Sequence, residues 1–367
     1  MRVALDARPL SHPQAGGFRS YVRGLVHGLA GIPDLELLLY LDRDVPAGSL
    51  PGNFQTRVLS PSRLKSDLIL FARQARADGA DLIHGTMNYA PHPGPTPFAV
   101  TLHDAMGLKK YPWETTVQRS PREWGMNRYW WLQTKLSARK ARKIVTVSHA
   151  AARELSGVLG KPENRFAVVY NGIQLPPPAP GIVRAENAVL AIASPDPRKN
   201  LDSLYAALTE HREVFGKNPP RLDVVCTSAT TAERAQAALE ARGLTNYALL
   251  KNLDDQALSD AYARSTVFAW PSRLEGFGMP PVEAMQVGTP VVSSSADPMP
   301  EVLGDAPVFC DPNRPETLAR ALAQLLAEPA ERARRSEAGR ERAARYTCAA
   351  QGEGTLAAWR DALGGNA

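Results

Sequence analysis

Glu275 and Glu283 stand eight positions apart, with Gly276, Phe277, Gly278, Met279, Pro280, Pro281 and Val282 between them. The two glycines free the backbone and the prolines suit a helix start, so the stretch reads as a binding loop that runs into a helix. An apolar run at 266–270 reads as the strand before it, which puts Glu275 in the loop and Glu283 in the first helical turn. Either Glu alone has an ordinary explanation: loop carboxylates are solvated, and the helix dipole favours a Glu in a first turn. The combination asks for more. Amides at Gly276, Phe277 and Gly278 donate, the two Glu accept, and a polyol bearing many hydroxyls needs that mixture.

A second group is Pro195-Asp196-Pro197-Arg198-Lys199-Asn200, between an apolar run at 188–193 and a helix with Leu201, Leu204 and Leu208 on one face. Asn200 is predicted to cap that helix, so that Arg198 and Lys199 stand at its positive end and hold a diphosphate there. His103 is the third candidate. The strand pattern 98–103 delivers it to the end of a sheet where ligands bind, although a lone His in such a place is more often a structural hydrogen-bonding residue. Gly16 and Gly17 form a turn before the helical pattern Tyr21, Val22, Leu25, Val26, Leu29, which suits a phosphate or a close-approaching sugar. The sequence there is neither the Gly-x-Gly-x-x-Gly fingerprint nor a P-loop. Asp42-Arg43-Asp44 reads as a post-strand loop and Asp254-Asp255 as a helix cap, and no metal site is expected from either.

These residues need a scaffold that presents strand ends. Runs at 3–6, 35–41, 82–84, 98–103 and 144–147 read as strands with amphipathic helices between them, and the same rhythm restarts after residue 187. Such alternation predicts α/β domains with parallel sheets and crossover helices. A length of 367 residues fits two of them. The Pro-rich stretch 174–186 is the clearest boundary, giving domains at 1–173 and 187–349 and a last helical face, Leu356, Trp359, Leu363, in 350–367.

Net charge is unevenly divided: residues 1–173 hold 23 Lys and Arg against 13 Asp and Glu, whereas the remainder holds 20 against 24. The first half can therefore draw in an anionic ligand or surface. Residues 108–143 concentrate ten Lys or Arg, two Glu and four of the six tryptophans, Trp113, Trp124, Trp130 and Trp131. Cations interleaved with Trp suit an anionic membrane interface. Nucleic acid would use the same features, but no recognised binding motif accompanies them and no nucleic-acid partner is expected. No apolar run is long enough to span a bilayer, the opening residues lack a signal-peptide pattern, and Cys226, Cys310 and Cys348 make no disulfide framework, so a cytoplasmic protein is expected.

Glu-Gly-Phe-Gly-Met-Pro-x-x-Glu resembles the E-x7-E element of the family-4 retaining glycosyltransferases of GT-B fold. Pro-Arg-Lys-Asn, Thr-Leu-His-Asp followed by Tyr111-Pro112, and the opening Asp6-Ala7-Arg8 with its glycine turn are similar to three more elements of that family. The resemblance implies two doubly wound Rossmann-like domains facing a central cleft, with the C-terminal helix crossing back to the first. It implies that Arg198 and Lys199 grip the diphosphate of a nucleotide sugar, Glu275 accepts from sugar hydroxyls, Glu283 holds the ribose, and His103 contacts the sugar near the reacting centre. Gly16, Gly17 and the 276–279 loop complete the donor site. Two departures matter: Ala193 stands where many members have an Arg, which leaves Arg198 to serve, and Phe18 or Arg19 stands where a further Gly is common.

The expected activity is transfer of a sugar from GDP-mannose or a UDP-sugar to a glycan or lipid-linked acceptor, with retention, without metal or cofactor, in surface polysaccharide or glycoconjugate synthesis of the mannosyltransferase kind. Peripheral contact with an anionic inner membrane face through 108–143 is expected with it. The alternatives are a non-catalytic nucleotide-sugar binder and a GT-B epimerase or phosphorylase.

Overall fold

Valine-, leucine- and alanine-rich runs form the inner strands of two all-parallel sheets in the computed structural model of the chain. The structure describes every residue except 13–15, 47–49, 51–53, 61, 92–93, 113–120, 217 and 365–367, and of 121–123 only the backbone. Trp113 therefore lies outside the described residues. Two units form: Met1–Ile173 with Tyr346–Ala367, and Gln174–Arg345.

In the first unit the strands are β1 (Arg2–Asp6), β2 (Glu36–Leu41), β3 (Gln55–Val58), β4 (Leu82–Gly85), β5 (Phe98–Leu102), β6 (Lys143–Thr146) and β7 (Phe166–Val168), in the order 3-2-1-4-5-6-7. Central strands are buried on both faces, which is why they read as continuous apolar runs. β3 has no such signal: Gln55-Thr56-Arg57-Val58 is a mostly exposed edge strand beside β2. The second unit orders β8 (Ala188–Ala193), β9 (Arg221–Cys226), β10 (Tyr247–Lys251), β11 (Val267–Trp270), β12 (Val291–Ser294) and β13 (Val308–Cys310) as 10-9-8-11-12-13. The order reverses between β1 and β4 in one sheet and between β8 and β11 in the other, and ligands of such sheets bind beyond the carboxyl strand ends at that switch point.

Two features of the second unit rest on long-range contacts. The Pro-rich stretch is fastened down: Ala179 donates its amide to Asp260, and Ser259 and Gln256 donate to the carbonyls of Pro176 and Pro177. The Arg- and Glu-rich helix Pro329–Ala343 buries Ser336, Gly339 and Ala343, with Gly339 against Met285. Its arginines also reach carbonyls of neighbouring elements, as Arg335 does at Asp305 and Pro307.

The last helix, Cys348–Ala362, packs on the helix Gly16–Leu29 within the first unit, backbone against backbone. A Cβ on Gly28 would collide with the carbonyl of Cys348, and one on Gly352 with that of Gly28. The fully buried Trp359 donates its indole N–H to His84 Nδ1 at 2.5 Å, which obliges His84 to carry its proton on Nε2, 2.7 Å from Thr101 Oγ1. Burial, with His103 adding to it, pulls His84 down to about 3. Since this lies below the ordinary value of about 6.5, the unfolded chain takes up the proton first. Stability is complete above about pH 6.5 and is lost as pH falls, at up to about 1.4 kcal/mol per pH unit. Urea midpoints measured between about pH 6.5 and 4 should fall less steeply in His84→Gln than in the natural chain; equal slopes would contradict this role.

Candidate functional site

The loops that leave β8 and β11 meet at the switch point of the second sheet. After β8, Asp196 begins a single turn, Pro197–Lys199, and its carboxylate accepts from the Arg198 amide at 3.0 Å and pairs with Arg198 Nε at 2.7 Å. Asn200 is not the predicted side-chain cap. It sits in the left-handed region, φ 57°, and its Nδ2 donates instead to the carbonyls of Pro271 and Pro312 at 3.0 and 2.7 Å. The Arg198 carbonyl accepts from the Arg273 amide at 2.7 Å and from Ser272 Oγ at 3.1 Å. These bonds stitch the two loops together at fixed spacing.

That stitching places Lys199 against Glu275. Nζ donates to both carboxylate oxygens, at 2.7 and 3.0 Å, and lies 4.7 Å from the centroid of the Trp270 ring. Glu275 is only 8% exposed. Burial pushes its carboxyl upward, but Lys199 and Arg198 outweigh this and hold it below the ordinary carboxylate range. The result is an ionised carboxylate with a compact cation on it, under an aromatic ring, at the end of a parallel strand. Sugar hydroxyls can donate to such a carboxylate, and phosphate oxygens can accept from Lys199 and Arg198.

Gly278 takes the left-handed conformation, φ 87°, and a Cβ there would strike the end of the Met299 side chain. It ends the loop and caps the helix Met279–Gln286. Glu283 is thereby the fifth helical residue, one turn later than expected, because both prolines fit inside the first turn. It is half-buried and accepts from the buried Tyr262 hydroxyl at 3.0 Å. Gly276, Phe277 and Gly278 are buried, and Met279 is half-buried.

In the first unit, β5 delivers His103 to the sheet's carboxyl end. Its amide donates to Asn88 Oδ1 at 2.6 Å, and its Nε2, 2.9 Å from the Thr86 carbonyl, must carry the proton. Burial lowers its pKa against the opposing effects of the Thr86 bond and Asp104, so the ring is neutral with its acceptor on Nδ1. Tyr21 and Phe18 set ring edges on it, at centroid distances of 4.6 and 5.0 Å. Gly16 and Gly17 are exposed and are the first two residues of the helix Gly16–Leu29, not a turn ahead of it, and Phe18 joins them to His103.

Sequence reasoning missed a buried polar cluster beyond β1. Arg8 pairs with Asp6 at 2.7 Å and with Asp67 at 2.6 Å, and Asp67 also accepts from the hydroxyls of Tyr89 and Tyr129 at 3.0 and 2.9 Å. Asp6-Ala7-Arg8 was visible as a motif. Asp67, far along the chain in a polar-looking segment, was not.

Two doubly wound units, one with a cation–carboxylate pair at its switch point, define the class of α/β protein to which this chain must be compared. The family model "Glycosyltransferase Family 4" matches residues 16–175 and the model "Glycosyl transferases group 1" matches 177–342. The chain belongs to the family-4 glycosyltransferases of GT-B fold. It is 30% identical over 224 residues to the MMP α-(1→4)-mannosyltransferase of Mycolicibacterium hassiacum, an alignment covering 59% of this chain and 54% of that protein. Against the D-inositol 3-phosphate glycosyltransferase of Segniliparus rotundus it is 31% identical over 193 residues, 51% of this chain and 42% of that one. The matched stretch thus spans about half the length of these relatives. The structure of sucrose-phosphate synthase from Thermosynechococcus elongatus superposes with a TM-score of 0.77 at 21% identity, covering 97% of this chain and 98% of that one, which shows a shared fold.

Proposed function

We propose that this protein transfers a hexose from a nucleoside-diphosphate sugar to a hydroxyl of a glycan or lipid-linked acceptor, retaining anomeric configuration and using no metal. The observation that carries the reading is the Lys199–Glu275 pair at the β8/β11 switch point, beside Arg198. In the reaction the anomeric C–O bond to the diphosphate breaks and a new C–O bond to the acceptor forms. The acceptor's proton leaves with the nucleoside diphosphate. Negative charge grows on the departing phosphate, and Lys199 and Arg198 supply the positive charge that stabilises it. Glu275 accepts from the sugar hydroxyls, and Glu283 holds the ribose with its orientation fixed by Tyr262. The roles of His103, Gly16 and Gly17 toward the same sugar, and retention itself, rest on the family resemblance.

GDP-mannose is the donor we favour, supported by the mannosyltransferase relative, with UDP-sugars next. The two relatives act on different acceptors by name, so the acceptor is carried over only as a glycan or lipid-linked hydroxyl. The test is a screen of nucleotide sugars for nucleoside-diphosphate release. Release that needs an acceptor and survives a metal chelator is expected; release without any acceptor, or epimerised donor in its place, would count against transfer.

A further inference from the structure

Successive side chains of β11 point to opposite faces of the sheet. Val267 and Ala269 join the core cluster on one side, whereas Phe268 and Trp270 project to the other and stack on each other, with 5.9 Å between centroids and 24° between planes. Tyr262 meets Phe268 edge to face at 5.1 Å, and its hydroxyl donates to Glu283. The Trp270 ring, 4% exposed, is thus backed by two further rings that are themselves tied down at Glu283.

An indole carries a penalty in this place. Its N–H has no hydrogen-bond partner among the described residues, a cost that a phenylalanine would not bring. What Trp270 contributes is therefore its ring face, and within reach of that ring lies the Lys199 ammonium, 4.7 Å from the centroid. Of the aromatic side chains tryptophan attracts a cation most strongly, and more so away from water; the Lys199 side chain is only 16% exposed. Two of the three ammonium N–H groups go to the Glu275 oxygens. One remains, on a nitrogen that carboxylate and ring hold together.

We propose that Trp270 is a positioning residue for transfer, its indole face holding the Lys199 ammonium where the remaining N–H meets a phosphate oxygen of the donor. The inference rests on the donor-site reading given above. Without the ring, the flexible stem of Lys199 has more freedom to lose when the diphosphate binds, and affinity falls by that ordering.

The test keeps the shape of the ring and changes its electron density. Tryptophan bearing one, two or four ring fluorines is placed at position 270 alone in the intact chain, and GDP and UDP are titrated calorimetrically. Fluorine drains the ring face with little change of volume, so the attraction for Lys199 fades while the packing on Phe268 stays. The dissociation constant of the diphosphate that binds the natural chain should rise stepwise with fluorine number, by about tenfold over the series. In Lys199→Met the same fluorines should change nothing, because the cation they act on is gone. A constant that is unchanged or lower along the series, or one that rises equally in Lys199→Met, would overturn the positioning role and leave the donor site standing. Binding of neither GDP nor UDP to the natural chain would overturn both.

Discussion

Lys199→Met lowers sugar transfer by about 10²–10³-fold, the cost of removing one group that stabilises charge developing at a reacting centre. The same substitution strands Glu275, which is 8% exposed, without the cation bonded to both of its oxygens. Breaking a buried pair from one side costs about 3–5 kcal/mol, so Lys199→Met is also less stable. The pH dependence follows the sign of the Glu275 shift. Burial raises this carboxyl, but Lys199 and Arg198 lower it further, so its folded value lies below that of the unfolded chain. The pair's contribution is present above about pH 4.3 and is lost as pH falls through the folded value. Glu275→Gln separates the two effects: it keeps the shape and loses the charge, so transfer falls while the buried anion is gone. Steady-state kcat/KM and urea unfolding on both variants check this, and near-normal turnover in either would remove that residue from the site.

Arg8→Met produces a loss of stability of the same order. Its guanidinium is the cation for two carboxylates, Asp6 and Asp67, exposed by 0 and 1%. Burial works against the charge on Arg8, yet Asp6 and Asp67 more than offset this and raise its pKa well above the ordinary value. Without it two buried anions face each other, and a loss of about 3–5 kcal/mol is expected in urea unfolding. A loss under about 1 kcal/mol, the size of a surface ion pair, would contradict the cluster's role.

The parts of this fold that the sequence disclosed are those set by local pattern. Buried parallel strands such as Glu36–Leu41 must be apolar throughout and therefore stand out. The helix cap at Asp254 forms as expected, since a cap needs one oxygen and an amide three residues on. Lys199 and Glu275 could be singled out because each lies in a loop after a strand, but their meeting is a property of strand order, with residues 76 apart joined by the β8/β11 neighbourhood. What stayed hidden depended on long-range partners. Asn200 looks like a cap and is taken up by Pro271 and Pro312. Asp67 looks solvated and lies under two phenols and an arginine. Composition singled out the Trp-rich helix, but only the structure tells which of its faces is covered, and it is the small-residue face.

The most direct measurement is calorimetric titration of the natural chain and of Lys199→Met with the nucleoside diphosphate released in the donor screen. Loss of one charge-assisted hydrogen bond to phosphate, worth about 1.5–3 kcal/mol, predicts a dissociation constant about 10- to 100-fold higher in the variant. An unchanged constant in a variant that still unfolds cooperatively would place the diphosphate elsewhere and contradict the account.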